Sequence, residues 1–135
     1  MEEPDRETDR LAYEVIGAAI EVHRVLGPGY DEVIYENSMD KELTLRGISF
    51  ERQHRFRVLY KGVDVGSGKI DLLVGQCLVL ELKTVETVLP KHKAQVIGYL
   101  KAKGLKLGLI LNFKVAMIKD GIHRIVWSEH DNEGA

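Results

Sequence analysis

Apolar residues near the start of the chain recur every three to four positions, a spacing that places their side chains on one face of a helix. This periodicity predicts a first helix over residues 8–26, capped by Thr8 and ended by the segment Gly27-Pro28-Gly29. Its apolar positions are Leu11, Val15, Ala19, Val22 and Leu26. A second helix is expected to begin at residue 30 or 31 and to end at Gly47, because glycine readily adopts the left-handed conformation that closes helices.

Over residues 50–60 the period changes to two, with Phe56 and Val58 alternating with Arg55 and Arg57, which is typical of a strand. Strands are predicted over residues 50–60, 69–74, 77–84, 107–111 and 122–127, and a third helix begins at Pro90 and ends at Gly104. A turn is expected at Lys61-Gly62, and Gly66-Ser67-Gly68 predicts a bend or bulge before the second strand. The order ααβββαβ, with a last edge strand, predicts an α/β fold in which a mixed sheet of about four to five strands is flanked by helices.

Composition limits the class of protein. The chain has 135 residues, 44% of them apolar and 30% charged, which suits one globular domain over residues 1–135 with loose tails at 1–7 and 129–135. The lone Cys77 rules out an internal disulfide or a zinc ribbon. The acidic N-terminus does not resemble a secretory signal, and no apolar run approaches the ~20 residues of a membrane span. We therefore expect a cytoplasmic protein.

Charge is distributed unevenly along the chain. Residues 1–51 carry 13 acidic and 5 basic residues, whereas residues 52–135 carry 8 acidic and 14 basic residues. The net charge of −2 is far from that of a protein that coats DNA, so contact with a polyanion is expected to be local. The candidate basic groups are Arg52, Arg55 and Arg57 on the first strand and Lys91, His92, Lys93, Lys101, Lys103 and Lys106 on or after the third helix. A solvated helix face is the alternative interpretation of the lysines.

Three charged residues interrupt apolar strands in the middle of the chain: Asp71, Glu81 and Lys83. A carboxylate in a core strand is costly unless it is paired or binds a cation. Glu81 and Lys83 are two residues apart and share one face of their strand. Asp71 joins that face only if Val74 pairs with Leu78 through a three-residue connection, since a one-residue slip would reverse its side chain. We therefore predict that register, or a bulge that restores it.

Two carboxylates on one face suit Mg²⁺ or Mn²⁺, because hard divalent cations prefer oxygen ligands and are often held by one or two carboxylates together with substrate phosphates. A neighbouring lysine can orient the attacking water or stabilise the charge that develops during phosphodiester hydrolysis. The same spacing is also typical of a simple ion pair between Lys83 and either Asp71 or Glu81 on a sheet face. In that case Asp71→Ala would destabilise the fold by leaving Lys83 unpaired.

Two helical segments add candidate residues. Glu32 lies in the first turn of the second helix, where the helix dipole favours a carboxylate, and Tyr35 follows one turn later. Gln95 and Tyr99 are four residues apart on the third helix and share a face, with His92 three residues before Gln95. Each segment taken alone is equally compatible with an ordinary polar helix face and a packed tyrosine.

Together these motifs resemble a known family. Gly29-x-x-Glu32-x-x-Tyr35, followed by Asp71, Glu81-x-Lys83 and Gln95-x-x-x-Tyr99, is similar to the GxxExxY protein family of the PD-(D/E)XK nuclease superfamily. The resemblance extends from about residue 11 to residue 127. It departs from the superfamily name only at Ile70, which stands where a proline often precedes the aspartate.

The resemblance implies a restriction-endonuclease-like core and divalent-metal-dependent cleavage of nucleic acid. It does not decide between DNA and RNA, and of the two we expect DNA as the partner. It implies that Asp71, Glu81 and Glu32 bind Mg²⁺ or Mn²⁺, that Lys83 assists the attacking water, and that Gln95 lies close to the scissile phosphate. The residues expected to contact substrate are Tyr35, Tyr99, His92, Lys91 and Lys93. A homodimer is compatible with this architecture. The alternative function is a non-catalytic module of the same fold that binds nucleic acid or a protein partner.

Overall fold

The computed structural model describes residues 4–129, which form three α-helices, a short 3₁₀ helix and five strands. In chain order these are α1 (Arg6–Leu26), α2 (Glu32–Leu45), β1 (Phe50–Tyr60), β2 (Val63–Val74), β3 (Leu78–Lys83), α3 (Pro90–Lys103), β4 (Leu107–Asn112), the 3₁₀ helix (Ile118–Gly121) and β5 (Ile122–Val126). None of the helices in this part of the chain is long and apolar enough to cross a bilayer.

The five strands form one mixed sheet in the order β1-β2-β3-β4-β5. Only β3 and β4 run parallel, and the other neighbouring pairs are antiparallel. A parallel pair needs a crossover connection, and α3 supplies it between β3 and β4. The predicted α/β class and the mixed sheet flanked by helices are therefore confirmed.

Both faces of the sheet are covered. On one face, α1 and α2 pack against the sheet through residues such as Val15, Met39 and Leu80. On the other face, α3 packs through Val96 and Leu100 against a second apolar cluster. The central strands β3 and β4 are buried on both faces, which explains their nearly continuous apolar sequences.

The N-terminus of α1 lies earlier than the sequence predicts. The helix begins at Arg6, and its cap is Asp5, whose Oδ1 accepts a hydrogen bond from the Thr8 backbone N–H at 2.8 Å. The prediction that Thr8 caps the helix is wrong because an acidic side chain three residues earlier takes that position. The prediction of a loose tail over residues 1–7 is also wrong for residues 6 and 7, which are helical. Residues 1–3 and 130–135 lie outside the described part of the chain.

The β1–β2 hairpin is longer than predicted. Its turn is at Lys61 and Gly62, as expected, and both have positive φ (49° and 80°). However, β2 begins at Val63, so Gly66 lies inside the strand with φ 148°. The pairing shifts register between Val58 and Leu59, which places a bulge in the hairpin. A bulge absorbs one extra residue without ending the strand, and this is why the glycine-rich segment does not interrupt β2.

Candidate active site

Asp71 lies where β2 and β3 separate. The two strands pair as Val74 with Leu78, Leu73 with Val79 and Leu72 with Leu80. This is the register that a three-residue connection predicts, and it is confirmed. Beyond the last pair, Asp71 Oδ2 accepts a hydrogen bond from the backbone N–H of Leu82 at 2.9 Å. The carboxylate thus continues the contact between the two strands after the backbone pairing has stopped.

Glu81 is the most deeply buried charged residue of the candidate site, with only 4% of its surface exposed. Its Oε2 lies 3.4 Å from Lys83 Nζ. Its Oε1 is buried and has no hydrogen-bond partner among residues 4–129. A buried carboxylate oxygen without a donor is unfavourable, so this atom is suited to a ligand that supplies positive charge.

Lys83 connects the sheet to α3. Its Nζ donates a hydrogen bond to Gln95 Oε1 at 3.2 Å, in addition to its ion pair with Glu81. The ammonium group is thereby held between the carboxylate and the amide oxygen. This arrangement brings together three residues that the sequence places on β3 and on α3: Glu81, Lys83 and Gln95.

The two carboxylates oppose each other's ionisation. Burial, followed by the charge of Asp71, raises the pKa of Glu81 to about 8, although Lys83 acts in the opposite direction. Burial also raises the pKa of Asp71, despite the hydrogen bond from the Leu82 backbone. Near neutral pH the pair therefore retains a proton. A bound cation would favour the doubly ionised form.

Glu32, in the first turn of α2, is within electrostatic reach of this pair. Burial raises the pKa of Glu32, the charge of Asp71 raises it further, and Lys83 lowers it. Within residues 4–129, no three His, Cys, Asp or Glu side chains are arranged so that they could hold a metal ion together. The structure therefore brings Asp71 and Glu81 together as a pair, while Glu32 lies nearby without completing a three-residue group.

Tyr99 closes the site from the side of α3. Burial raises the pKa of its hydroxyl, and the charges of Glu81 and Asp71 raise it further. Its ring meets the Phe56 ring edge to face, with the centroids 5.3 Å apart. Gln95 and Tyr99 share a face of α3, as their spacing predicts, and this face contacts Lys83 of β3 and Phe56 of β1. Phe56 was not among the predicted site residues, because its alternating pattern indicated only a strand.

Tyr35 does not lie where a substrate could reach it. The side chain is fully buried, and its ring stacks on Phe113 with the centroids 4.5 Å apart. Its hydroxyl donates a hydrogen bond to the Gly27 carbonyl and accepts one from the Tyr30 N–H. The position of Tyr35 thus supports packing between α2 and the loop after α1, and it does not support the predicted contact with substrate.

The basic residues at the start of α3 differ in their surroundings. His92 Nδ1 accepts a hydrogen bond from the Leu89 backbone N–H at 2.9 Å, so His92 caps the helix. Burial lowers the pKa of His92, and the nearby charges of Lys83 and Lys91 lower it further. Lys91 and Lys93 are exposed. Burial lowers the pKa of His123 on β5, and the charge of Lys93 lowers it further, so Lys93 lies near the β5 edge of the sheet and away from β2.

Arg52 is committed to ion pairs. Its guanidinium binds Glu36 at 2.6 Å and Asp40 at 3.2 Å, both on α2. This position contradicts the prediction that Arg52 contacts phosphates, because its charge is already compensated. Glu36 also accepts a hydrogen bond from Gln53 Nε2 at 2.7 Å, and its charge raises the pKa of Asp71.

Gln53 and Asn112 support the site in ways that the sequence did not indicate. Gln53 has a positive φ of 51° at the point of β1 that lies across from Asp71. Asn112, at the end of β4, is buried and bridges to the loop after β3: it accepts from the Val85 N–H at 3.1 Å and donates to the Val85 carbonyl at 2.8 Å. Neither glutamine nor asparagine has a sequence pattern that reveals such a role.

Comparison with known proteins defines the class of protein to which this fold and site belong. The profile of the PD-(D/E)XK nuclease superfamily matches residues 9–125, which is most of the chain. The protein therefore belongs to the PD-(D/E)XK nuclease superfamily.

Among solved structures, the crystal structure of SSO0001 is similar to this chain, with a TM-score of 0.57 and 20% sequence identity. The match covers 90% of this chain and 58% of that one, so this chain spans little more than half the length of SSO0001. At this identity the likeness concerns the fold alone. The search of curated proteins gave no match.

Proposed function

We propose that the protein is a divalent-metal-dependent nuclease that hydrolyses phosphodiester bonds of nucleic acid, with DNA favoured over RNA. The observation that carries this proposal is the buried carboxylate pair Asp71–Glu81 beside Lys83, with Glu81 Oε1 left without a hydrogen-bond partner in the described part of the chain. Membership of a nuclease superfamily supports the same conclusion.

The residues present fit a hard cation. Mg²⁺ and Mn²⁺ take oxygen ligands, and Mg²⁺ often binds one or two carboxylates while it keeps several waters. Asp71 and Glu81 would hold the ion, and Glu32 would contribute through an intervening water because it does not complete a three-residue group. When bound, the ion would neutralise phosphate charge and lower the pKa of water.

Lys83 is placed to act on the reacting groups. Its ammonium is held between Glu81 and Gln95, so its position is fixed before substrate arrives. In the proposed reaction Lys83 orients the attacking water and stabilises the negative charge that develops on the phosphate. Gln95, which shares the hydrogen bond with Lys83, positions this ammonium and contacts the substrate next to the scissile bond.

A cleavage assay tests the proposal. Labelled single-stranded and double-stranded DNA and RNA are incubated with the protein in Mg²⁺, Mn²⁺ or EDTA. We expect cleavage that requires metal and falls by at least about 100-fold in Asp71→Asn and in Lys83→Ala, since each change removes a group that stabilises the transition state. Asp71→Asn retains an oxygen for the Leu82 N–H, so it is expected to fold.

Glu86→Gln serves as the matched control, because Glu86 is an exposed carboxylate that pairs with Lys114. Its activity should equal that of the wild type. Activity that is equal in the wild type, Asp71→Asn and Lys83→Ala would contradict the proposal. Metal-dependent binding without cleavage would favour the alternative function, a non-catalytic module that binds nucleic acid.

A further inference from the structure

A groove of about 730 Å³ separates the middle of β1 from α3. Its lining is predominantly apolar and includes Phe56, Val58, Gly68, Gly98 and Tyr99. The volume lies within the range of sites that bind small molecules or single groups of a larger ligand.

Small residues keep the groove open on the side of α3. Ala94, Gly98 and Ala102 are spaced four residues apart, so they lie along one face of the helix, and all three line the groove. A Cβ atom added at Gly98 would meet nothing within 4 Å. The absence of a side chain at Gly98 therefore leaves space that the packing of the protein itself does not use.

Each wall of the groove carries an aromatic ring, Phe56 on β1 and Tyr99 on α3. A Cβ atom at Gly68 would lie 2.5 Å from Cζ of Phe56, so the glycine allows the Phe56 ring to lie over β2. The Tyr99 ring meets Phe56 edge to face. Two aromatic rings beside open space favour a flat aromatic ligand, because bases stack on such side chains irrespective of sequence.

Basic residues at the groove indicate that the aromatic ligand also carries a negatively charged group. Lys101 and Arg57 line the groove together with the apolar residues, and the exposed Arg57 guanidinium also lies 3.8 Å from the exposed carboxylate of Asp64. An apolar, aromatic space with two cations at its walls complements a nucleotide, which combines a base with a phosphate. A hydrophobic peptide segment would not need these cations.

The groove is continuous with the proposed active site. Gln95 and Tyr99 line the groove, and Gln95 also holds Lys83 at 3.2 Å. A strand whose phosphate lies at Lys83 would therefore bring a neighbouring nucleotide to the groove. Paired bases in a duplex are stacked and cannot enter unless the base pair opens.

We propose that this groove binds an unpaired base adjacent to the scissile phosphate, so that the protein acts on single-stranded nucleic acid or on unpaired segments. This inference rests on the proposed nuclease function, since it assumes that the phosphate of the bound strand lies at Lys83. A binding assay in EDTA separates the two proposals, because binding in the groove needs neither metal nor cleavage.

The experiment measures fluorescence anisotropy of a labelled oligothymidine and of a hairpin duplex of equal length. Gly98→Leu places its Cβ atom in open space, extends an apolar side chain into the groove and replaces glycine by a better helix former. Gly98→Ala adds only one methyl group. Thr44→Leu places a leucine on the exposed surface of α2, which packs on the other face of the sheet, and is the matched control.

We expect the wild type to bind the single strand more tightly than the duplex. Gly98→Leu should weaken single-strand binding by about 10-fold or more, in line with the loss of one stacked base, while duplex binding changes little. Gly98→Ala should have a smaller effect and Thr44→Leu none. Equal single-strand affinity of Gly98→Leu and the wild type would overturn the proposal. A change in oligomeric state by Gly98→Leu with unchanged nucleic-acid affinity would also overturn it and would assign the groove to a protein partner.

Discussion

Replacement of Glu81 by glutamine should stabilise the metal-free protein at high pH. The folded state raises the pKa of Glu81 from 4.5 to about 8, first through burial and then through Asp71. Glutamine has nearly the same shape and cannot ionise. The substitution therefore removes an unfavourable charge without creating a cavity.

The direction of the pH dependence follows from the raised pKa. Below pH 4.5 the carboxyl is protonated in both the folded and the unfolded state and does not affect stability. As the pH rises from 4.5 to about 8, the unfolded chain releases the proton while the folded protein keeps it, so the free energy of unfolding falls. Above this window the loss is complete.

The magnitude can be worked from the same shift. Each unit of raised pKa corresponds to about 1.4 kcal/mol, so full ionisation of Glu81 costs the folded state on the order of 5 kcal/mol. The pKa of about 8 already includes the opposing effect of the Lys83 charge, so the loss of that ion pair is not subtracted again. We expect Glu81→Gln to be more stable than the wild type by on the order of 5 kcal/mol at pH 9 and to differ by less than about 1 kcal/mol at pH 5.

Urea unfolding followed by circular dichroism in EDTA at pH 5, 7 and 9 measures these differences. Glu86→Gln is the control, because its exposed carboxylate pairs with Lys114 and has a lowered pKa, caused mainly by the hydrogen bond from Lys114. It should show no gain in this window. If Glu81→Gln were less stable than the wild type at pH 9, Glu81 would serve a structural ion pair, and the reasoning that connects its burial to a cation would be refuted.

Two further predictions test residues that support the fold around the site. Tyr35→Phe removes the hydroxyl that donates to the Gly27 carbonyl and should lower the free energy of unfolding by about 1–2 kcal/mol, measured by urea titration. Nuclease activity should change little. A large loss of activity with unchanged stability would instead show that Tyr35 contacts substrate. Asn112→Ala leaves the Val85 N–H and carbonyl without their partners and should lower the free energy of unfolding by about 2–3 kcal/mol. Amide hydrogen exchange in the loop after β3 should become faster. Unchanged exchange would contradict the role of Asn112 as a bridge to this loop.

The sequence was sufficient for the fold because its periodicities and breaks are local. Alternation over residues 50–60 predicts β1 with the observed bounds, and Pro90 and Gly104 mark the two ends of α3. The register of β2 and β3 was also predictable, because the parity of the connection decides on which face Asp71 lies. In each case the structural feature is determined by residues that are close together in the chain.

Contacts between distant elements were not predictable in the same way. Arg52 has the alternation of a basic strand face, but its charge is compensated by Glu36 and Asp40 on α2. Tyr35 belongs to a segment that resembles a family motif, and the resemblance predicts a substrate contact, but its ring packs against Phe113 in the interior. A single sequence gives no information about which of several acidic residues meets a given arginine, because that choice depends on how α2 crosses the sheet.

The position of the carboxylate pair at the end of the β2–β3 ladder explains how the fold tolerates it. Asp71 uses one oxygen to bind the Leu82 N–H, a backbone donor that no longer has a strand partner on β2 once the ladder ends at Leu72 and Leu80. A buried N–H without an acceptor would itself be unfavourable, so the carboxylate offsets part of its own burial. Glu81 has no such compensation at Oε1. The two acids thus differ in the metal-free fold: Asp71 accepts a backbone hydrogen bond that supports the structure, whereas the ionised form of Glu81 remains unfavourable until a cation binds. This is why removal of the charge should stabilise the protein more at Glu81 than at Asp71, although burial raises the pKa of both.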